Sequence, residues 1–274
     1  VHSMWWWVAS VSVLAAALLL TAQGQTAGIA DQLWYFASVL LLCPFVAALG
    51  ARRPGIGAWL CFVVFPLVLV LEWPALSLLV TSEVNESLLL QTPAILGAFV
   101  VLVMGAGNYL GTRFTGPVLL FCVAEVCFFT SVSELKPGSI NATTLRYTGS
   151  GFLIVAIVSL AFSLKNWTER GESRGLQRVW SDFCDSFGIV WSRRVAERFN
   201  LMVKREKLEV RIHNTSVMRE KAGQPMDTAV NDREEQILRW ILRRFVDPTW
   251  LDHRLTTNDN TKLSSGDDND TGTN

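Results

Sequence analysis

Two carboxylic acids, Glu72 and Glu125, lie inside long apolar runs of this 274-residue chain. A carboxylate in hydrocarbon is expensive, so such a residue is a functional-site hypothesis by default. No Lys, Arg or His falls within any span predicted below, so neither acid has a counter-ion in its own setting. As a protonatable pair, Glu72 and Glu125 would carry protons or bind a cation. As structural groups, neutral acids would hydrogen-bond to a neighbouring helix. Glu72 precedes Trp73-Pro74, and a helical Pro frees backbone carbonyls to accept such a bond. Asn108 is a third intramembrane polar candidate, read as a helix–helix hydrogen-bonding residue. Gly105, Gly107 and Gly111 lie around it, and Gly107 and Gly111 form a GxxxG step expected to let helices pack closely. The same glycines are not a dinucleotide fingerprint, because no strand precedes them.

The five Cys, at 43, 61, 122, 127 and 184, fit no CxxC or zinc spacing. They read as buried small hydrophobes. The segment Val123-Ala124-Glu125-Val126-Cys127 is similar to the sequence around the proposed nucleophilic Cys of exosortase-type membrane transpeptidases. That resemblance would make Cys127 a nucleophile. It covers five residues, and the Ser-Gly that usually follows that Cys is replaced here by Phe128-Phe129. The family's Arg and His from later spans have no counterpart in the predicted spans. Cys127 then lacks a base to form a thiolate, and the transpeptidase reading is not adopted. Serine-hydrolase elbows, HExxH and paired intramembrane aspartates are absent. His213 and His253 are isolated, so neither a metal site nor a cofactor is expected.

The elements that must position these residues follow from where charge is excluded. Residues 1–164 hold five of the 24 Lys and Arg and six of the 24 Asp and Glu. The rest fall in 165–274. The first segment reads as lipid-solvated and the second as water-solvated. Crossing the bilayer core takes about 20 mostly apolar residues. Six segments approach that, near 4–22, 33–50, 57–80, 93–110, 117–132 and 149–164. The third carries Pro66, Glu72 and Pro74 and is expected to kink.

Loop charges set the orientation. Arg52 and Arg53, Arg113, and then Lys165, Arg170, Arg174 and Arg178 occupy alternate connections. Loops 23–32 and 81–92 have no base. Loop 133–148, with Lys136 and Arg146, is the discordant count. The pattern puts both termini in the cytoplasm, with Trp5-Trp6-Trp7 anchoring span one at the inner interface. A rival reading makes span one a signal peptide cleaved near Ala22-Gln23-Gly24.

After the spans, residues 165–255 read as a cytoplasmic amphipathic helical region and 256–274 as a disordered tail. Residues 176–202 form a predicted helix with Leu176, Trp180, Phe183, Phe187, Val190, Trp191, Val195, Phe199 and Met202 at helical spacing. The aromatic face with Arg193, Arg194 and Arg198 near its end suits a helix at the membrane surface, and equally a helix packed on other tail elements or on a partner protein. Leu208, Val210 and Ile212 alternate with charged residues and suggest a short strand. Gly223-Gln224-Pro225 marks a loop. A second helix is expected over 232–246, capped by Asn231 with Glu234 at its third position. Its apolar face holds Ile237, Leu238, Ile241, Leu242 and Phe245. Arg239, Arg243 and Arg244 read as a solvated or membrane-facing side, and no nucleic-acid partner is expected.

The fold class expected is an all-α integral membrane protein of about six transmembrane helices with a mainly helical cytoplasmic tail, in the cell membrane. Its expected role is non-enzymatic anchoring or interaction, with the lipid bilayer and a protein partner or a second copy as contacts. The alternative is a small proton- or cation-coupled transporter or channel using the intramembrane carboxyls.

Overall fold

A computed structural model describes residues 2–23, 27–49, 56–80, 87–136, 138–169, 175–219 and 232–255. The loop bases Arg52 and Arg53, Arg170 and Arg174, the cap Asn231, the loop 223–225 and the tail 256–274 lie outside the described residues, as do the side chains of Trp5, Trp6 and Trp7. The chain is mostly helical and divides into two compact units, Val1–Leu164 and Lys165–Asn274.

The first unit consists of apolar helices. In chain order they are α1 (His2–Ala22), α2 (Ala27–Leu49), α3 (Ile56–Trp59), α4 (Phe65–Val80), α5 (Thr92–Gly107), α6 (Thr115–Ser131) and α7 (Ala142–Glu169). A π-helical turn, Leu60–Val64, joins α3 to α4 without a break. It closes with the Phe65 N–H donating to the Leu60 carbonyl. Pro66 has no N–H to return to Phe62 four residues back, and a widened turn accommodates that loss.

Three helices are long and apolar enough to cross a membrane: Gly28–Ala48, Gly57–Leu78 and Ala142–Lys165. Ala9–Ala22, Thr92–Gly107 and Thr115–Ser131 are apolar but shorter. Large apolar side chains point outward from this unit, among them Phe62 (76% exposed), Val70, Trp73, Met104, Ile154 and Phe162. A soluble domain does not leave so much apolar surface in water, whereas a bilayer solvates it at no cost.

The core of the unit forms around α2, which packs against α1, α4, α5 and α6. Trp34, Tyr35, Leu41 and Leu42 of α2 are fully buried. Trp34 Nε1 donates to Thr21 Oγ1 of α1 at 3.1 Å, and Trp59 Nε1 of α3 donates to the Val46 carbonyl at 3.0 Å. Two helix ends differ from the sequence reading. The predicted second span begins at 33, but α2 begins at Ala27 and carries Asp31 inside it. The predicted sixth span begins at 149, but α7 begins at Ala142 and carries Arg146. Asn141 caps α7, its Oδ1 accepting from the Thr143 N–H at 3.1 Å. The expectation that no span holds a basic residue is thereby overturned: Arg146 lies within the candidate span Ala142–Lys165.

The second unit comprises α8 (Leu176–Arg205), a hairpin of β1 (Val210–His213) and β2 (Ser216–Arg219), α9 (Asp232–Leu242) and α10 (Pro248–Leu255). The predicted continuous helix is broken at Gly188, whose φ of 74° and ψ of −175° are not helical. Only Gly adopts that conformation without strain, so the chain kinks there. The strands pair antiparallel, with Val210 opposite Arg219 and His213 opposite Ser216, leaving Asn214-Thr215 as the turn. Asn214 takes the left-handed conformation (φ 50°) that Asn tolerates better than most residues.

Two side-chain amides on α8 hold the hairpin. Asn200 bonds the Ile212 N–H and carbonyl, both at 2.9 Å. Gln177 accepts from the Val217 N–H at 2.6 Å and donates to the Thr215 carbonyl at 3.0 Å. Ile212 and Val217 face each other in register. The amides satisfy outward-facing backbone groups that the ladder leaves open.

Candidate functional site

In the first unit the structure separates the polar candidates by environment. Glu125, midway along α6, is fully buried, and neither carboxyl oxygen has a hydrogen-bond partner among the described residues. Ala124, Phe128 and Phe129 are buried around it on the same helix. Glu72 is buried on α4, and its Oε1 is likewise without a partner among the described residues. Tyr35 and Cys43 of α2 lie within electrostatic reach of the Glu72 carboxyl. The bond expected near Pro74 is made by a different residue: the Tyr35 hydroxyl donates to the Leu71 carbonyl in the turn loosened by Pro74. Unpartnered buried polar atoms are rare and call for an explanation; among the described residues of this unit Glu125 and Glu72 carry them, as does Gln32 of α2 at its Nε2.

The sequence reading missed the charged pair at one end of the bundle. Arg146 Nη2 of α7 donates to Asp31 Oδ1 of α2, with side chains only 7% and 11% exposed. Arg146 Nε reaches Ser131 Oγ, at the end of α6, at 3.4 Å. The guanidinium also sits over the Trp34 ring, 5.9 Å from its centroid. Trp34 in turn packs on Phe128 at 5.3 Å between centroids. The start of α2, the end of α6 and the start of α7 thus share one polar cluster. The Asn141 cap was the signal in the sequence that would have placed Arg146 inside a helix.

The small-residue candidates behave differently from one another. A Cβ on Gly105 would stand 2.6 Å from Phe45 Cβ, so α5 and α2 meet there in close contact. Gly107 faces open space within 4 Å. Gly111 is outside any helix, in an exposed turn with φ of 82°. The GxxxG packing step is therefore corrected: Gly105 packs, Gly107 does not, and Gly111 turns the chain. A Cβ on Gly149, not singled out from sequence, would stand 2.6 Å from Phe128 Cε1, so α7 lies close on α6 there. Asn108 is buried at the C-terminal end of α5.

In the second unit the aromatic stripe turns inward. Trp180 and Phe183 are fully buried, and Phe187 and Trp191 are half-buried. Phe245 is the hub. It meets Phe183 at 5.5 Å, Phe187 at 5.9 Å and Trp191 at 5.2 Å between centroids. Ile237, Leu238, Ile241 and Leu242 of α9 close the same core. The physical reason is that two amphipathic helices in one segment each offer an apolar face, and covering one with the other removes both from water. Each large ring buried this way contributes about 2 kcal/mol. Trp180 Nε1 finds the Asn214 carbonyl at 3.0 Å. Trp180 and Phe183 are therefore unavailable to lipid or a partner.

The outer side of this unit carries several arginines. Arg193, Arg194 and Arg198 are exposed on α8, as are Arg243 and Arg244 just after α9. Arg193 pairs with Glu197 at 3.2 Å, whereas Arg194, Arg198, Arg243 and Arg244 have no acidic partner among the described residues.

Among the described residues no group of three or more His, Cys, Asp or Glu could hold a metal ion. All five Cys are free; Cys43 and Cys184 are buried, and Cys61 is exposed on the apolar outer surface. Burial pushes the Cys184 thiol up to about 11, so it is no ready nucleophile. Comparison with protein-family models, curated proteins and solved structures finds no match to this chain.

Proposed function

We propose that this chain is a multi-pass cell-membrane protein with six spans, both termini on the cytoplasmic side, and a non-enzymatic role. The spans are α1, α2, the composite α3–α4, α5, α6 and α7. Their task is to hold the second unit at the inner membrane face as a module that binds partners or the membrane surface. The observation that carries this reading is the closed core of the second unit. The cluster from Leu176 to Leu251 is drawn from this unit's own helices and hairpin, and it leaves an arginine-rich exterior for contact. The Asp31–Arg146 cluster reads as an internal clasp, since both charges face each other.

A phosphatase reporter active only outside the cell tests the topology. It should be silent when fused at the C-terminus and active when fused after Glu86. An active C-terminal fusion would overturn the six-span reading.

The second reading is a proton- or cation-coupled transporter using Glu125 and Glu72. It is favoured by the two unpartnered Glu125 oxygens. Reconstituted into liposomes, the chain should then pass protons, and Glu125→Gln should stop them with expression unchanged. No flux above empty liposomes favours the anchoring reading.

A further inference from the structure

We propose that the second unit binds the anionic phospholipid headgroup layer through a composite arginine–tryptophan patch shared by α8 and the end of α9. This rests on the reading of that unit as a cytoplasmic module beside the membrane and names its ligand.

The patch is assembled by the fold and is not legible in either helix alone. Trp240 of α9 is 37% exposed. Arg198 of α8 lies over its ring at 5.1 Å from the centroid, and Arg244 lies over the same ring at 5.3 Å. Arg194, one helical turn before Arg198, lies over Trp191 at 5.2 Å. Stacked guanidiniums are held in place by ring faces while their N–H edges stay free for a phosphate. Like charges gathered around one ring repel each other. An anion brought to the cluster relieves that repulsion.

Apolar side chains interleave with the arginines along the exposed side of α8. Val190, Arg194, Arg198 and Leu201 follow one another at helical spacing, and Val190 and Leu201 are both exposed. Apolar knobs between guanidiniums, with Trp at the edge, match the headgroup–glycerol boundary of a bilayer. An acidic protein surface would give the apolar knobs no such zone. The tether is short as well: the candidate span ends at Lys165 and α8 begins at Leu176. A surface so near is met at high effective concentration, so modest contacts suffice.

Arginine footprinting on the intact chain tests this without altering it. The full-length protein is placed in nanodiscs of phosphatidylcholine, or of equal parts phosphatidylcholine and phosphatidylglycerol. Phenylglyoxal modification is then read residue by residue. Arg194, Arg198 and Arg244 should react several-fold more slowly in the mixed discs, and raised salt should abolish the difference. Arg211, exposed on β1, should react equally in both. In a second arm, R198E with R244E should release the protection at Arg194, because each basic residue near an anionic surface is worth about fivefold in binding. Both sites are exposed, so the core is untouched.

Equal rates in the two discs overturn the proposal. Protection that persists in the mixed discs at raised salt overturns it as well, because the arginines are then covered by something other than charged lipid. Either failure leaves the module reading intact if the C-terminal reporter is silent. An active C-terminal reporter removes both.

Discussion

The buried pair between Asp31 and Arg146 makes the sharpest demand on stability. Replacing Arg146 by Met keeps the stem volume and removes the charge. Asp31, 11% exposed in its side chain, is then left as a buried acid without the guanidinium that paired with it. Breaking one side of a buried pair in a soluble protein costs about 3–5 kcal/mol. In membrane proteins the unfolded chain also finds polar partners, and hydrogen bonds there are worth about 0.6–2 kcal/mol. Here a pair, the Ser131 contact and the Trp34 stacking are lost together. We expect about 2–3 kcal/mol, between those bounds. Asp31→Asn should cost about as much, since it strands Arg146 instead. The double variant, Asp31→Leu with Arg146→Met, should recover most of the loss, because it buries no orphaned charge. Equilibrium unfolding in nonionic micelles, followed by circular dichroism, measures all four proteins. Two results would refute the reasoning: a single Arg146→Met variant within about 0.5 kcal/mol of the parent, or a double variant no better than the sum of the singles.

Three further outcomes follow from local geometry. Gly105→Ala should destabilise by about 1–3 kcal/mol, because its Cβ collides with Phe45, whereas Gly107→Ala should be neutral or slightly stabilising; paired melting curves separate them. Lys207 closes α8 in the left-handed conformation (φ 55°), with the Leu208 N–H returning to the Val203 carbonyl at 3.0 Å. Lys207→Gly should therefore raise stability by about 1 kcal/mol, and an unchanged or lower unfolding midpoint would count against the cap. The carboxyl of Glu206, bonded by Arg233 at 2.6 and 2.8 Å, is held below its usual range by that bond. Its folded pKa is the lower one, so its contribution is present above the ordinary carboxylate range and fades as pH falls through the depressed value. The parent's small advantage over Glu206→Gln should be constant at neutral pH and vanish in acid.

Hydropathy located the apolar helices because it is summed over a whole span, and a single charge hardly moves that sum. The same insensitivity misplaced their ends. Asp31 and Arg146 each look like loop charges when read one at a time. They are separated by 115 positions in the chain, and only the fold shows that they neutralise each other. Periodicity marked the stripe on α8 and the apolar face of α9 equally well. It was silent on what each face meets, because lipid, partner and neighbouring helix all demand the same spacing. The hairpin was half legible: Val210 and Ile212 alternate inward, but Asn200 and Gln177, which hold its edges, look like ordinary helix-surface amides.

The pairing of Arg146 also bears on orientation. The positive-inside bias acts on lysines and arginines that sit in short loops in water. Arg146 is one of the two bases in the one discordant count, yet it is helical, buried and paired with Asp31. Removing it leaves Lys136 as the single base of the connection before α7, next to Glu134. Asp31 and Ser131, which share the Arg146 cluster, lie at the start of α2 and the end of α6. In an up-and-down arrangement of six spans these ends and the start of α7 fall on one side of the membrane. The alternation of the chain and the cluster thus ask for the same side. A topology with one span fewer between Asp31 and Arg146 would put the two charges on opposite faces of the bilayer, where they could not meet.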